Sequence, residues 1–275
     1  MMATTLVPPR RPAPPVALAV ESLAVAGRRL NRLRQAPGRL IGIIMNPLVS
    51  MIVLGYLFQG SLSVTGGSDY QTYMFAGVAA QVGLAGIGPT AVAVAADLRG
   101  GLVDRFRSLP IARPSVLLGH TLGDLAVGLI GLAVVTALGV LFGWRPERGP
   151  LAVLAGFALL AVFMYAMLWV GVLLGLFSRN METINVVAGL VTVLLSFLSN
   201  AFQSVDRLPS WLRPIADWNP VSAVVTRTRE LWGNPTATGG SFPGEHASLA
   251  VAISLSAVFV VTVLLSLRRF RTAAS

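Results

Sequence analysis

The stretch LAVLAGFALLAVFMYAMLWVGVLLGLF, residues 151–177, determines the fold class of this chain. No charged side chain interrupts it, and an α-helix needs only about 20 apolar residues to cross the hydrocarbon core of a bilayer. The stretch therefore predicts a transmembrane helix. Similar stretches predict further spans at 40–59, 71–96, 116–142, 183–202 and 248–267. Because a backbone in hydrocarbon must satisfy its own hydrogen bonds, we expect an all-α membrane protein with six transmembrane helices.

The overall composition also favours a membrane protein. Apolar residues make up 55% of the 275 positions and charged residues 12%, whereas a soluble domain is about 25% charged. The net charge of +10 comes from arginines clustered beside the apolar spans. Such clusters are typical of topology determinants and contacts to lipid phosphates. We therefore expect membrane lipid, and not nucleic acid, as a partner.

Two residue types are missing, and their absence excludes several kinds of site. The chain has no cysteine, and all 21 of its basic residues are arginine. Disulfides, thiolate metal sites and cysteine nucleophiles are therefore excluded. A P-loop needs a lysine that reaches the β- and γ-phosphates, so the chain cannot contain a Walker A site. We expect no catalytic residue, no metal site and no cofactor bound by this chain itself.

The N-terminal region is predicted to lie outside the spans. Residues 1–15 are rich in proline and arginine and should form a disordered cytoplasmic tail. Residues 16–38 carry leucines near one helical face and arginines opposite them, which predicts an interfacial amphipathic helix. An ordinary solvated helix is an equal alternative on this pattern alone.

The distribution of arginine predicts the topology. With both termini in the cytoplasm, that side holds fifteen arginines and the other side six, as the positive-inside rule requires. The use of arginine without lysine, together with abundant Ala, Gly and Pro, is typical of a GC-rich bacterial genome. We therefore expect a multi-pass protein of the bacterial plasma membrane.

Two connections between spans have unusual sequences. The cytoplasmic loop 97–115, DLRGGLVDRFRSLPIARPS, alternates charges around paired glycines. The outer segment 203–247 is too apolar in its first half for a simple loop, and it contains Trp211 and Trp218. Since tryptophan favours the headgroup level, we expect short interfacial or re-entrant helices there, before the last span.

Polar and helix-breaking residues within the spans are candidates for a translocation path or a subunit interface. Prolines predict kinks in the first two spans, and a polar side chain in hydrocarbon should face protein or water. These candidates are Asn46, Pro47, Gln81, Pro89, Asn185, Ser196 and Asn200. Hydrogen bonding between packed helices is an equal alternative for each polar residue. Gly119 and Gly123, and likewise Gly171 and Gly175, have the small-xxx-small spacing that permits close helix packing.

His120 and Asp124 lie four residues apart on the third span. A proton relay or a catalytic pair is one interpretation, and a local hydrogen-bonded pair near the interface is the one we favour. An ion-coupled secondary transporter would show more carboxylates deep in its spans. An intramembrane enzyme would have to use His120 and Asp124, and a scaffold without transport is a further alternative.

Three stretches resemble the permease subunits of type-2 ABC exporters, most closely the daunorubicin-resistance-like drug-export branch. They are NRLRQAPGRLIGIIMNPLVSMIVLGYLF at 31–58, the loop 97–115, and LPSWLRPIADWNPVSAVVTRTREL at 208–231. The resemblance implies that residues 39–275 form a type-2 ABC transmembrane domain, with 203–247 as its outer re-entrant region. The residues that carry this last likeness are Trp211, Trp218, Asn219 and Pro220.

The resemblance also implies a function and partners. The chain would be the permease subunit of an exporter that moves a hydrophobic or amphiphilic compound, drug-like or lipid, out of the cytoplasm or inner leaflet. Two copies of an ABC ATPase subunit would bind ATP and Mg, and a second copy or a related permease would complete the dimer. Loop 97–115 would couple the permease to the ATPase. Its candidate coupling residues are Asp97, Arg99, Gly101, Asp104, Arg105, Arg107 and Pro110.

Overall fold

The computed structural model describes residues 38–54, 70–99, 113–178, 180–236 and 240–273. All regular structure in these ranges is helical. The α-helices are α1 (Gly38–Ile52), α2 (Tyr70–Ala85), α3 (Ile87–Arg99), α4 (Arg113–Leu141), α5 (Pro150–Phe177), α6 (Met181–Phe197), α7 (Arg213–Asp217), α8 (Pro220–Trp232), α9 (Phe242–Glu245) and α10 (Ala247–Ala273), and a 3₁₀ turn spans Val205–Arg207. The predicted tail 1–15 and the interfacial helix up to residue 37 lie outside the described residues.

Four predicted spans are confirmed within the described ranges. Tyr70–Arg99, Leu117–Leu141, Pro150–Phe177 and Ala247–Arg269 are long and apolar enough to cross a membrane. The apolar helix α6 is shorter and ends at Phe197, whereas the predicted span continued to 202. The first predicted span, 40–59, is described only as far as Leu54. The count of six spans therefore stays a prediction.

The second span runs through the centre of the helix bundle. Most of α2 is buried, and large side chains such as Phe75 and Leu84 pack with Phe163 and Met167 of α5. Helix α5 also contacts α3, α4, α8 and α10. Since lipid is as apolar as these side chains, this packing is stabilised by close contact more than by exclusion of water.

The second span is interrupted close to the proline at which a kink was predicted. Helix α2 ends at Ala85 and α3 begins at Ile87, with Gly86 between them. Pro89 has no backbone N–H to donate to the carbonyl of Ala85, and its ring would clash with that carbonyl in a regular helix. The helix therefore breaks at Gly86. In α1, by contrast, Pro47 lies inside an uninterrupted helix, and a kink there stays a prediction.

Gly171 and Gly175 bring α5 into backbone contact with α3, as their spacing predicts. A Cβ atom at position 171 would lie 2.5 Å from the carbonyl oxygen of Ile87, and one at position 175 would collide with the carbonyl of Ala91. Only glycine permits this approach, so the pair determines how closely α3 and α5 pack.

The bundle has two ends, which we name by one residue each. The Asp97 end contains the end of α3, the start of α4 and the α5–α6 connection. The Asn200 end contains the start of α2, the α4–α5 connection and the short helices that follow α6. Since the spans run alternately up and down, loop 97–115 leaves the bundle at the Asp97 end.

Candidate functional site

Arg229 is the most deeply buried charged residue at the Asn200 end, with 0% exposure. Its Nε donates to the carbonyl of Tyr73 at 2.9 Å, and its two Nη atoms donate to the carbonyls of Asn200 at 3.1 Å and Ala201 at 2.8 Å. The guanidinium also lies 3.6 Å from the centre of the Tyr73 ring. The positive charge is thus compensated by backbone dipoles just after α6 and by an aromatic face. These contacts join α8, α2 and the end of α6.

Asn219 connects the end of α6 to the start of α8. Its Nδ2 donates to the carbonyls of Leu195 at 3.0 Å and Leu198 at 2.6 Å, while its Oδ1 accepts from the backbone N–H of Val221 at 2.9 Å. One side chain therefore caps the N-terminus of α8 and satisfies the last carbonyls of α6. Pro220 occupies the first turn of α8, where a missing N–H costs nothing.

Asn200 lies in the same polar network. Its Nδ2 donates to Thr226 Oγ1 at 2.6 Å, and its backbone N–H donates to Ser222 Oγ at 3.1 Å. Tyr73 Oη donates to the Asn200 carbonyl at 3.1 Å. Asn200 was predicted to face a path or a subunit interface, and the structure places it in contacts within one chain.

An aromatic cluster holds α8 against the α4–α5 connection. Phe75, Trp144, Phe157 and Trp232 pack together, with the centres of the Phe75 and Trp144 rings 4.2 Å apart. The indole N–H of Trp144 donates to Asn234 Oδ1 at 2.9 Å, and that of Trp232 donates to the carbonyl of Val153 at 3.2 Å. The Asn200 end is therefore rigidly connected through α4, α5 and α8.

The predicted tryptophans lie at the surface of this end. Trp211, Ile215 and Trp218 are exposed along or beside α7, a pattern typical of contact with headgroups. Partial burial raises the pKa of the neighbouring Asp217 carboxyl, and a hydrogen bond with the Ser241 side chain opposes that shift.

At the Asp97 end, two polar contacts join α3 to α4. His120 Nε2 lies 2.7 Å from Asp97 Oδ2, and Thr90 Oγ1 donates to Asp124 Oδ2 at 2.6 Å. Asp124 is only 4% exposed. The favoured interpretation of His120 and Asp124 as a local pair overlooked these partners, because a spacing of four residues shows only contacts within one helix. These contacts connect the two helices that flank loop 97–115.

The other predicted coupling residues are only partly described. Asp97 is half-buried and Arg99 is exposed at the end of α3. Gly101, Asp104, Arg105, Arg107 and Pro110 lie outside the described residues.

The residues predicted to face a path or an interface differ in their burial. Gln81 is 4% exposed in the centre of α2, and Ser196 is 2% exposed near the end of α6. Asn46 and Asn185 lie instead on exposed faces of α1 and α6. Pro47 is buried and Pro89 half-buried.

Arg229 was counted from the sequence only as a topology determinant, and its place in this polar network was not predicted. A signal was present, because Ser222, Thr226 and Arg229 recur at spacings of four and three residues and so share one face of α8. When polar side chains line one face of a helix in an otherwise apolar region, they indicate a polar network inside the protein. Among the described residues, no group of His, Cys, Asp and Glu could hold a metal ion.

Comparison with known proteins identifies the family. Residues 21–231 match the family described as ABC-2 type transporter. The chain is 31% identical over 256 residues to the daunorubicin resistance ABC transporter permease protein DrrB1 of Streptomyces coeruleorubidus, covering 93% of this chain and 88% of that protein. It is 26% identical over 213 residues to a probable doxorubicin resistance ABC transporter permease protein, DrrC, of Mycobacterium tuberculosis, covering 76% and 75%. It is 24% identical over 248 residues to the putative transport permease ycf38 of Cyanophora paradoxa, covering 88% and 84%. The chain, with its four described spans, therefore belongs to the ABC-2 type transporter family of membrane permeases.

Proposed function

We propose that this chain is the permease subunit of an ATP-driven exporter and that a separate ABC ATPase supplies the energy. Membership of the ABC-2 family and the similarity to permeases named for drug resistance support this function. The chain contains no lysine for a P-loop, so nucleotide binding falls to a partner. That partner would be present in two copies and would hold ATP and Mg.

The contact between α3 and α4 is the observation that supports energy coupling at loop 97–115. An ATPase acts on a permease only through a contact that moves transmembrane elements together. The pairs Asp97–His120 and Thr90–Asp124 hold α3 and α4 to each other beside the loop, and Gly171 and Gly175 hold α3 to α5. A displacement of the loop would therefore move three helices as one unit. In this arrangement the Asp97 end faces the cytoplasm.

Removing two charges from the loop tests this coupling. In the complex with its ATPase, we expect the Asp104→Ala, Arg105→Ala double variant to keep its ATP hydrolysis and lose export by roughly tenfold, a typical coupling effect. Efflux of daunorubicin, taken from the name of one relative, serves as the export assay. Glu182→Ala, at an exposed position in the first turn of α6 at the Asp97 end, is the matched control and should export normally. Unchanged export by the double variant would contradict a coupling role of these residues.

The exposed faces of α1 and α6 support assembly with a second permease copy or a related permease. Each face carries one exposed amide, Asn46 or Asn185, among exposed apolar side chains such as Val49 and Leu190. An amide in hydrocarbon is costly without a partner. We therefore place both faces at the contact between permeases or along the path between them. A path with such walls suits a hydrophobic or amphiphilic compound, drug-like or lipid.

Cysteine labelling tests the proposed topology, with both termini in the cytoplasm of a bacterial cell. The chain has no native cysteine, so single variants can be labelled without background. Glu147 and Glu182 are both exposed, in the connections before α5 and at the start of α6. We expect an impermeant maleimide to label the Glu147→Cys variant in intact cells and the Glu182→Cys variant only after lysis. The reverse pattern would invert the topology.

A further inference from the structure

A cavity of about 190 Å³ opens at the Asn200 end, between the ends of α1 and α6 and the start of α2. The rings of Tyr70, Phe197 and Phe202, with Leu54, form much of its wall. Its described lining contains no charged residue, and the Arg229 guanidinium donates to three backbone carbonyls and is not part of that lining. The described part of the wall therefore offers aromatic and aliphatic contacts without an ionic partner.

The side-chain hydrogen-bonding groups of the described wall belong to Tyr70, Ser196, Ser199 and Gln203. Ser199 Oγ already donates to the carbonyl of Ser196 at 2.6 Å and accepts from the N–H of Ala201 at 3.2 Å. Tyr70 Oη donates to the carbonyl of Phe202 at 3.1 Å. These two hydroxyl protons are therefore already used within the protein.

The Ser196 hydroxyl differs from the hydroxyls of Ser199 and Tyr70. Its Oγ is buried and has no hydrogen-bond partner among the described residues. On α10, the hydroxyls of Ser254 and Thr262 donate to carbonyls four residues earlier, which is the usual way a serine or threonine is satisfied in a span. A buried hydroxyl without a partner costs roughly 1 to 3 kcal/mol. A ligand oxygen in the cavity would remove that cost.

We propose that this cavity is a binding site for the ring portion of an uncharged amphiphile, with Ser196 Oγ donating to a carbonyl or hydroxyl oxygen of the ligand. Three aromatic rings suit a flat ligand, and the lack of charge among the described lining residues disfavours ions and zwitterions. The cavity is smaller than the roughly 300 Å³ at which sites for whole drug-sized molecules begin. It therefore holds one or two rings, while the rest of the ligand extends beyond it.

This site rests on the proposed function in one respect. In an exporter, the transported compound would bind there near the membrane face opposite the ATPase. Binding itself needs only the permease. A test on the purified chain without ATPase therefore separates the site from the function.

Benzophenone is a suitable probe because it has two rings, one carbonyl oxygen and no charge. Under near-ultraviolet light its carbonyl abstracts a hydrogen atom from a nearby C–H group, and the two carbon radicals then join. Trypsin cleaves after Arg179 and Arg207, so the peptide 180–207 contains the α6 side of the cavity, and α5 falls in a separate peptide. We expect labelling of peptide 180–207 to saturate with benzophenone concentration, with adducts at Phe197 and Phe202.

Three variants make the result specific. Ser196→Ala should raise the half-saturating concentration by about threefold to tenfold, as expected for one hydrogen bond. Thr192→Ala removes a hydroxyl one turn earlier on α6, outside the cavity lining, and should leave the half-saturating concentration unchanged. Gln203→Trp fills the cavity from its half-exposed rim and should lower the maximum labelling. Size-exclusion chromatography verifies that each variant is folded.

The site would be wrong if labelling rises in proportion to the benzophenone concentration, spreads over the exposed residues of α5 and α10, and is unchanged by Ser196→Ala. That pattern would show only that benzophenone partitions into the detergent around the spans. If the chain recruits an ATPase but shows no saturable labelling, the site is wrong and the proposed function stands. If labelling is saturable but the chain recruits no ATPase, the binding site stands and the proposed exporter function is contradicted.

Discussion

Replacing Arg229 with methionine should destabilise the protein on the order of 4 kcal/mol, because three hydrogen bonds from a buried charge are lost together. The carbonyls of Tyr73, Asn200 and Ala201 would lose their guanidinium donor in a region that excludes water. We expect the midpoint of thermal unfolding in detergent, followed by tryptophan fluorescence, to fall by about 10 °C.

Arg227→Met is the matched control on the same helix. Arg227 forms an ion pair with Glu230 at 2.8 Å, and both side chains are about one-third exposed. Partly exposed pairs of this kind contribute less than about 1 kcal/mol, so the midpoint should hardly move. Equal midpoints for the two variants would contradict a structural role of Arg229.

Replacing both Gly171 and Gly175 with alanine should separate α5 from α3. Each new Cβ would strike a backbone carbonyl of α3 that cannot move aside independently, and overpacking of this kind costs about 1 to 3 kcal/mol per site. We expect a lower unfolding midpoint, and lower export even where ATP hydrolysis persists, because α3 flanks loop 97–115, where we propose that the ATPase acts.

Gly189→Ala should not lower the unfolding midpoint, and it therefore controls for the helix propensity of alanine. A Cβ atom added at position 189 on α6 would have no neighbouring atom within 4 Å among the described residues, and alanine in a helix is favoured over glycine by about 1 kcal/mol. The midpoint should stay the same or rise. A double variant as stable as Gly189→Ala would mean that α3 and α5 do not depend on this contact.

The sequence predicted the long spans well because the bilayer itself requires them. Residues 150–177 must be helical in hydrocarbon whatever they contact, and the predicted 151–177 differs from the observed helix by one residue. The close packing at Gly171 was also predictable, since its signal is local.

Contacts between distant residues were not predictable in the same way. Helix α6 ends at Phe197, where Asn219, far along the chain, donates hydrogen bonds to the carbonyls of Leu195 and Leu198. Arg229 looked like a surface charge because its acceptors come from α2 and the segment after α6. His120 was matched with its neighbour on α4, whereas Asp97 on α3 lies 2.7 Å away. In each case the deciding partner lies on another element.

Affinity purification of the tagged chain from the membranes of its own host, in mild detergent, tests the proposed function most directly. If the chain is a permease driven through loop 97–115, an ABC ATPase should copurify in a 1:1 ratio with the permease, and the Asp104→Ala, Arg105→Ala variant should retain it. Recovery of the chain without any nucleotide-binding protein, together with transport by the isolated polypeptide in proteoliposomes driven by an ion gradient alone, would contradict it.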